Sequence, residues 1–435
     1  MSAQGPGVQR APDLLKSAFS AAVRAADPFI CMAGHLPPPP KGRTLVVGAG
    51  KAAASMAAAV EAQWPADAPL SGLVITRYAH GLELLRIRCV EAGHPVPDDA
   101  GERAAQEILE AVGELGPNDL LLALVSGGGS SLLSLPAEAI PMSDLQGVTK
   151  ALLKSGAPIT DMNIVRKHLS RIQGGRLALA SRAPVRALVI SDVVGDDPSS
   201  IASGPCSPDP SRFQDAVEVL ARWSVEPPES VRAHLHAGCR GEVPETPKPG
   251  DPRLSHATTV LVATARASLE AAAAVFRAEG IRVLNLGDAV TGEARDVASA
   301  MASWVRELAQ DRDPSIPRPV VLLSGGECTV TVRGAGRGGR CTEFLLALGL
   351  AVEALGVRDQ VHALAADTDG IDGVSPYAGA WLTPETLGRV RAAGREPAKC
   401  LDANDALAVF EPLGQVLQTG PTRTNVNDFR AILIR

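Results

Sequence analysis

At 435 residues the chain exceeds what one ordinary hydrophobic core organises, so two domains are expected. Hydrophobic residues make up 46% and charged residues 21%, which fills cores and excludes an intrinsically disordered chain. A formal charge of −6 and a pI near 5.8 exclude a general polyanion-binding surface, so local basic clusters read as features of a site.

Residues 12 to 32 carry the apolar spacing of an amphipathic helix, ended by Gly34 and the proline run 37 to 40. TLVVGAG (44 to 50) is a short apolar strand entering a glycine turn, and the Ala-rich stretch KAAASMAAAVEAQ predicts a helix. SGLVITRYA and LRIRCVEAGHP read as the second and third strands, GERAAQEILEAVGEL as a helix, and residues 120 to 125 as a fully buried strand breaking into SGGGSS. A helix is expected around Met162 to Ala180, with Asn163 as its N-cap and a break or close backbone approach at Gly174 and Gly175. RALVISDVVGDDP is a buried strand leaving into an acidic loop. The Pro- and Gly-rich stretch 238 to 254 reads as the interdomain linker.

Strand and helix alternate again through TTVLVAT, ARASLEAAAAVFRAEG, IRVLNLG and GEARDVASAMASWVREL. VVLLSGGECTVTVR then predicts a strand into the turn GAGRGGR and an apolar helix. VHALAADTDGIDG is a strand into a second acidic loop, and a last strand follows TGPTRTNVND. Alternation of this kind implies an α/β fold with a largely parallel sheet covered on both faces. The expected domains are residues 1–240 and 255–435, joined by 241–254.

Seven scattered cysteines, none in CxxC, fit reduced thiols and a cytoplasmic protein. The first residues lack the pattern of a secretory signal, and no apolar run approaches the ~18 residues of a bilayer span.

Several turns carry chemistry. GAGKAA, with Gly48, Gly50 and Lys51, follows a strand and opens a helix. It matches a relaxed dinucleotide fingerprint, but the acidic ribose ligand is missing, and the second strand ends at Arg77. What remains is a lysine at a helix start, suited to neutralising a phosphate, or a plain turn with a solvated lysine. SGGGSS (Ser126, Gly127, Gly128, Gly129, Ser130, Ser131) offers backbone N–H groups and hydroxyls without a nucleophile elbow, so an anion nest is expected over hydrolase chemistry. Ser324, Gly325 and Gly326 form a shorter relative. Glu327 beside them reads either as a catalytic carboxylate or as an anchor for one of the arginines.

Asp192, Asp196 and Asp197 leave the carboxyl end of a strand, where ligands bind in open α/β sheets, and Asp192 and Asp196 are the expected Mg²⁺ ligands. DTDGIDG spaces Asp367, Asp369 and Asp372 like a calcium loop, but the acid at its twelfth position is absent, which excludes that reading. Asp369 and Asp372 stay candidates for metal or substrate. Arg333, Arg337 and Arg340 bring guanidinium forks to a glycine turn at a helix start, an arrangement for phosphate or carboxylate. His94 and His168 read more readily as structural than catalytic. A lysine, arginines, N–H nests and carboxylate-held Mg²⁺ are the parts of phosphoryl transfer, which asks mainly for positioning and charge neutralisation.

VVGAGKA, VSGGGSSLL, NIVRKHLSRIQGGRLA, SDVVGDDPSSIASGP, LSGGECTVTVRGAGRGGR, DTDGIDG and TGPTRTNVND together resemble, in order and across most of the chain, the class II glycerate 2-kinases. That resemblance implies a Rossmann-like N-terminal domain, a C-terminal α/β MOFRL domain and an active site in the cleft between them. It implies ATP- and Mg²⁺-dependent phosphorylation of D-glycerate at its 2-hydroxyl, with Lys51 and Arg340 matching the family's essential lysine and arginine. Asp192 is the expected metal ligand or base. Arg166, Asp369 and the two Ser-Gly turns are expected around substrate and nucleotide, without assignment to one or the other. Two segments depart from the family pattern: Cys341 and Thr342 stand after GGR where Asn usually leads, and Asp367 replaces a usual Gly, with Ser375, Pro376 and Tyr377 further on. Expected partners are D-glycerate and ATP, with no nucleic acid or membrane and a homodimer as an open assembly state. The alternatives are an NADP-dependent hydroxypyruvate reductase, resting on GAGKAA and Arg77, and a non-enzymatic hydroxy-acid sensor.

Overall fold

The computed structural model of the protein describes residues 10–310 and 316–435. Contacts divide the chain into two compact units: Pro28–Val262 is one, and the described residues up to Asp27 join Ala263–Arg435 in the other. Each has its own six-stranded sheet.

In the Pro28–Val262 unit the strands are β1 (Thr44–Ala49), β2 (Leu70–Arg77), β3 (Ile87–Ala92), β4 (Leu120–Val125), β5 (Val185–Ile190) and β6 (Ala257–Ala263). They lie in the order β3-β2-β1-β4-β5-β6, and β1 to β5 pair in parallel. Every residue of β1 and β4 is buried, as their unbroken apolar runs require of central strands in a covered parallel sheet. Chain progression reverses between β1 and β4. A crevice therefore opens beyond their carboxyl ends, the usual ligand position in such sheets. Helix Ala53–Gln63 buries seven residues, mostly alanines, so small side chains allow its close approach.

Three expectations for this unit change. Helix Ile159–His168 starts at Pro158, and Asn163 lies inside it rather than at its N-cap. Gly174 and Gly175 follow it with φ of +60° and +82°, before the short helix Arg176–Leu179. Added Cβ atoms there would lie 2.9 Å from Thr246 Cγ2 and 2.7 Å from Pro247 Cγ, so the glycines make room for the side chains of Thr246 and Pro247. The same packing explains why residues 241–254 do not hang between the units. Thr246 Oγ1 donates to Asp209 Oδ2 (3.0 Å), Glu245 accepts the Phe213 N–H (3.0 Å), and Pro247 O accepts the Asp209 N–H (2.8 Å). The chain crosses between units at Val262 and Ala263, because β6, expected in the second half, completes the first sheet.

The second unit holds β7 (Arg282–Asn285), β8 (Gly292–Glu293), β9 (Val320–Ser324), β10 (Cys328–Thr329), β11 (Val361–Asp367), β12 (Gly379–Leu382), β13 (Val416–Leu417) and β14 (Asp428–Ile434). Its main sheet runs β13-β12-β11-β14-β9-β7 and is antiparallel except for the β7–β9 pair, while β8 and β10 form a separate two-stranded pair. The stretch expected as one strand to Arg333 is broken at Gly326, whose φ is +107°. The expected helix 12–32 is two helices, Arg10–Ala25 and Pro28–Cys31. The first packs through Leu15 and Phe19 into the core of this second unit, where Phe19 meets Phe429 edge-on at 5.7 Å. All seven cysteines are free thiols, and among the described residues no helix is long and apolar enough to cross a membrane.

Candidate functional site

The crevice end of β1 and β4 is laced by the two glycine turns. Lys51 N–H donates to Gly127 O (2.8 Å), Ser126 N–H to Ala49 O (3.1 Å), and Ala52 N–H to Ser126 Oγ (3.0 Å). Gly50, at φ +137°, would place a Cβ 2.1 Å from Ser126 Oγ; Gly128, at φ +80°, would place one 2.9 Å from His94 Nε2. Both positions favour glycine through their positive φ, and a side chain would collide with Ser126 at the first and with the His94 ring at the second. The same hypothetical Gly128 Cβ lies 3.4 Å from Lys51 Cγ, so the lysine stem runs along the SGGG turn, half-buried, at the start of the helix.

Some expected roles move. The Ser126 hydroxyl is buried and accepts the Ala52 N–H, which fastens the two turns together. Gly129 N–H donates to Ser126 O (3.2 Å), and Gly48 abuts Leu124 O inside the sheet, so these two glycines serve packing. Ser130 faces the neighbouring loop, with its Oγ 2.9 Å from Ser203 Oγ. Ser203 in turn lies 3.1 Å from Asn163 Oδ1, which also accepts Arg166 Nη1 at 3.3 Å. His94, Asn163 and Ser203 were not singled out as a group from sequence, since nothing local links a His-Pro loop, a helix interior and the Ala-Ser-Gly after Ile201.

Asp192 is half-buried just beyond β5. The register Val125↔Val189 puts that strand end level with the SGGG turn. Asp196 sits in the same loop at φ +55°. Asp197 accepts Ser199 N–H (2.9 Å), Ser199 Oγ (2.7 Å) and Ser200 Oγ (3.1 Å); burial opposes ionisation, but these bonds outweigh it and hold the carboxyl below its ordinary range. Among the described residues no three His, Cys, Asp or Glu side chains converge to hold a metal. One or two carboxylates on a loop fit Mg²⁺ in its usual mode, with waters and phosphate oxygens as the remaining ligands, and do not fit an all-protein cage.

In the second unit Arg340 is gripped by acids. Its Nε lies 2.7 Å from Asp428 Oδ1, its Nη2 lies 2.7 Å from Asp367 Oδ2, and its Nη1 lies 3.5 Å from Glu327 Oε1. The first two carboxylates are buried, whereas the Glu327 side chain is 57% exposed, so the Nη1 side faces outward. Burial alone would lower the Arg340 pKa; Asp428, Asp367 and Glu327 outweigh it and raise it. Asp428 also binds Arg430 Nη2 (2.7 Å), and the buried Arg430 donates through Nη1 to Gly325 O (3.1 Å). TNVND is legible as a motif in the sequence, but it is the pairing of β14 with β9 that brings Asp428 to Arg340.

Other expectations at this end are corrected. The start of helix Arg340–Ala354, expected to attract a ligand anion, already holds Asp372, which accepts Cys341 N–H (2.9 Å), Thr342 N–H (2.9 Å) and Thr342 Oγ1 (2.8 Å). Burial raises the Asp372 pKa in spite of these bonds. Cys341 and Thr342 therefore stabilise a buried cap. Ser324 is a ladder residue of β9, Gly325 N–H is spent on Gly287 O (2.8 Å), and Gly326 packs on the Val290 backbone, so SGG is a packed turn rather than an open nest. Asp369 is buried and accepts Ile371 N–H (2.9 Å) within its own loop. Arg337 pairs with Glu411 at 2.6 Å, away from Arg340's acids.

Comparison with known proteins finds two families in order along the chain. Residues 14–236 match the family described as a domain of unknown function, DUF4147, and residues 320–428 match the MOFRL family. A protein of Agrobacterium vitis, provisionally named a hydroxypyruvate reductase, is 49% identical over 98% of this chain and 94% of its own. The glycerate 2-kinase of Pyrococcus horikoshii is 40% identical over 89% of this chain and 86% of its own. The crystal structure of glycerate kinase from Thermotoga maritima matches with a TM-score of 0.85 at 35% identity, covering 98% of this chain and 100% of that one. The paired families, their order and the extent of these matches carry one conclusion: the chain belongs to the class II glycerate 2-kinase family.

Proposed function

We propose that the protein transfers the γ-phosphoryl group of ATP to the 2-hydroxyl of D-glycerate, giving 2-phosphoglycerate and ADP. The observation that carries this reading is Lys51 held at the crevice of a reversing parallel sheet, its backbone bonded to the SGGG turn. In the reaction the 2-hydroxyl oxygen forms a bond to the γ-phosphorus as the bond to the β-phosphate oxygen breaks, and the hydroxyl proton leaves. Little covalent work falls to the protein. Lys51 neutralises charge on the transferring group. Arg340, which the resemblance matches to the family's essential arginine, presents in its own unit an outward Nη1 side oriented by buried carboxylates. Asp192 would either hold Mg²⁺ together with Asp196, offsetting phosphate charge when the ion is bound, or accept the hydroxyl proton.

The test couples product to enolase, with ATP and D-glycerate supplied and no phosphoglycerate mutase. Signal is expected from the wild type, and Lys51→Ala should lower kcat by on the order of 10² to 10³. Absence of signal in the wild type would overturn the reading. An NADP-dependent reduction of hydroxypyruvate is the second reading. It is favoured by the β3-β2-β1-β4-β5-β6 order, which dinucleotide-binding sheets share, and by Arg77 at the end of β2. Oxidation of NADPH by hydroxypyruvate, without kinase turnover, would select it.

A further inference from the structure

Helix Ile159–His168 ends with three consecutive basic residues, and their surroundings differ sharply. Lys167 Nζ lies 2.6 Å from Asp209 Oδ1, both side chains being buried. His168 Nε2 lies 3.4 Å from Glu245 Oε2 and 3.9 Å from Asp209 Oδ2. Arg176, beyond the glycine pair, is within the influence of the same two acids and donates to Lys167 O (2.7 Å). Arg166 alone among these has no acid. Among the described residues its guanidinium makes one hydrogen bond, from Nη1 to Asn163 Oδ1, and burial lowers its pKa to about 10 with no carboxylate raising it.

A desolvated guanidinium without a counterion is costly, and its remaining N–H donors form a planar fork matched to two-oxygen anions. Arg166 is half-buried rather than sealed, so an anion can reach it. Its hydrogen-bond chain runs through Asn163 and Ser203 to Ser130 of the SGGGSS turn, two positions beyond Gly128, where the Lys51 stem lies. Arg166, Ser130, Ser134, Thr149 and Gln173, with Leu135 and Leu145, border a cavity of about 10 Å³, room for one oxygen-sized group, with no acidic residue in its wall. The two cations thus flank one turn. Lys51 stands at the helix start suited to phosphate. Arg166 stands among hydroxyls and an amide, a setting with one positive charge for one negative charge.

We propose that Arg166 binds the carboxylate of the acceptor substrate and so restricts the enzyme to hydroxy acids, leaving the phosphoryl group to Lys51. This rests on the kinase reading above. The test compares wild type, Arg166→Gln and Arg166→Lys with D-glycerate and with its uncharged amide, glyceramide, while ATP is varied separately. Arg166→Gln should raise KM for D-glycerate by about 10- to 100-fold, the size of a lost hydrogen bond to a charged group, and leave KM for ATP within about 2-fold. Its preference for glycerate over glyceramide should collapse, and Arg166→Lys, which keeps charge but loses the fork, should fall between.

The preference ratio compares two substrates on the same folded fraction, so partial unfolding of a variant does not affect it. An unchanged ratio, or a rise in KM for ATP instead, would overturn the assignment. If the wild type itself shows no turnover, the kinase reading fails. Titration calorimetry of D-glycerate and glyceramide on wild type and Arg166→Gln then decides the carboxylate assignment alone, and equal affinities would sink it.

Discussion

Asp428 shows how one buried carboxylate can fix two guanidinium groups. It is fully buried and bonds two guanidinium groups, Arg340 and Arg430, each at 2.7 Å. Arg430 is itself buried and ties the pair to Gly325 O. Removing the central charge strands the buried Arg430 and takes one of two buried carboxylates from the partly exposed Arg340. Asp428→Asn should therefore destabilise the unit by roughly 3 to 5 kcal/mol, the range for breaking a buried pair, as read by chemical denaturation. A loss below about 1 kcal/mol would show that the guanidinium groups find other partners. Asp367, where this chain departs from the family pattern, adds a second buried grip on Arg340 that a glycine could not supply. The charge pattern around GRGGR was legible in sequence, but the pairing was not. Arg333, Arg337 and Arg340 share a turn, and only the fold puts two buried carboxylates on one of them.

The strand β11 carries a pH-sensitive element. His362 is 4% exposed, neither ring nitrogen has a hydrogen-bond partner, and burial together with Arg435 lowers its pKa to about 4. A base depressed in the folded state is neutral there, so its contribution to stability is complete above the unfolded value of about 6.5 and is lost as pH falls toward 4. The difference in unfolding free energy between wild type and His362→Leu should therefore shift against the wild type by about 2 to 3 kcal/mol between pH 7 and pH 4. A pH-independent difference would show that the ring is solvated or protonated in the folded strand. At this same scale the glycine turns divide. GAGK and SGGG were recognisable as strand-to-helix turns, and the structure laces them together. SGG after β9 had the same local signature, yet its amide and its glycines are used on the chain's own backbone. Local sequence gives a turn's conformation, whereas its neighbours decide whether its N–H groups remain for a ligand.

Over the whole molecule, the helix Arg10–Ala25 belongs with the unit that begins some 240 residues after it. Leu15 and Phe19 are buried there beside Phe276, Leu364 and Phe429. Phe19→Ala should cost about 3 to 5 kcal/mol, the usual range for emptying an aromatic core position. The loss should appear in the Ala263–Arg435 unit. In hydrogen exchange, protection should fall in β11 and β14 while β1 and β4 keep theirs; equal loss in both sheets would contradict the division into two units.

The sequence by itself determined the α/β class, most strands and helices of both units, the glycine turns and the family. The class, elements and turns follow from short-range sterics and from the period of apolar residues, which neighbours along the chain supply; the family follows from the ordered motifs it resembles. Tertiary structure decided that β6 completes the first sheet, that residues 241–254 are fastened to that same unit, and that Asp372 fills the helix start expected for a ligand. It also decided which cations have acids. Arg166 and Lys167 are adjacent in sequence and chemically alike, but Lys167 meets Asp209 and Arg166 meets no carboxylate among the described residues. Ion pairing in a buried region depends on side chains brought together from distant positions, and that information is written in the packing of elements rather than in any one of them.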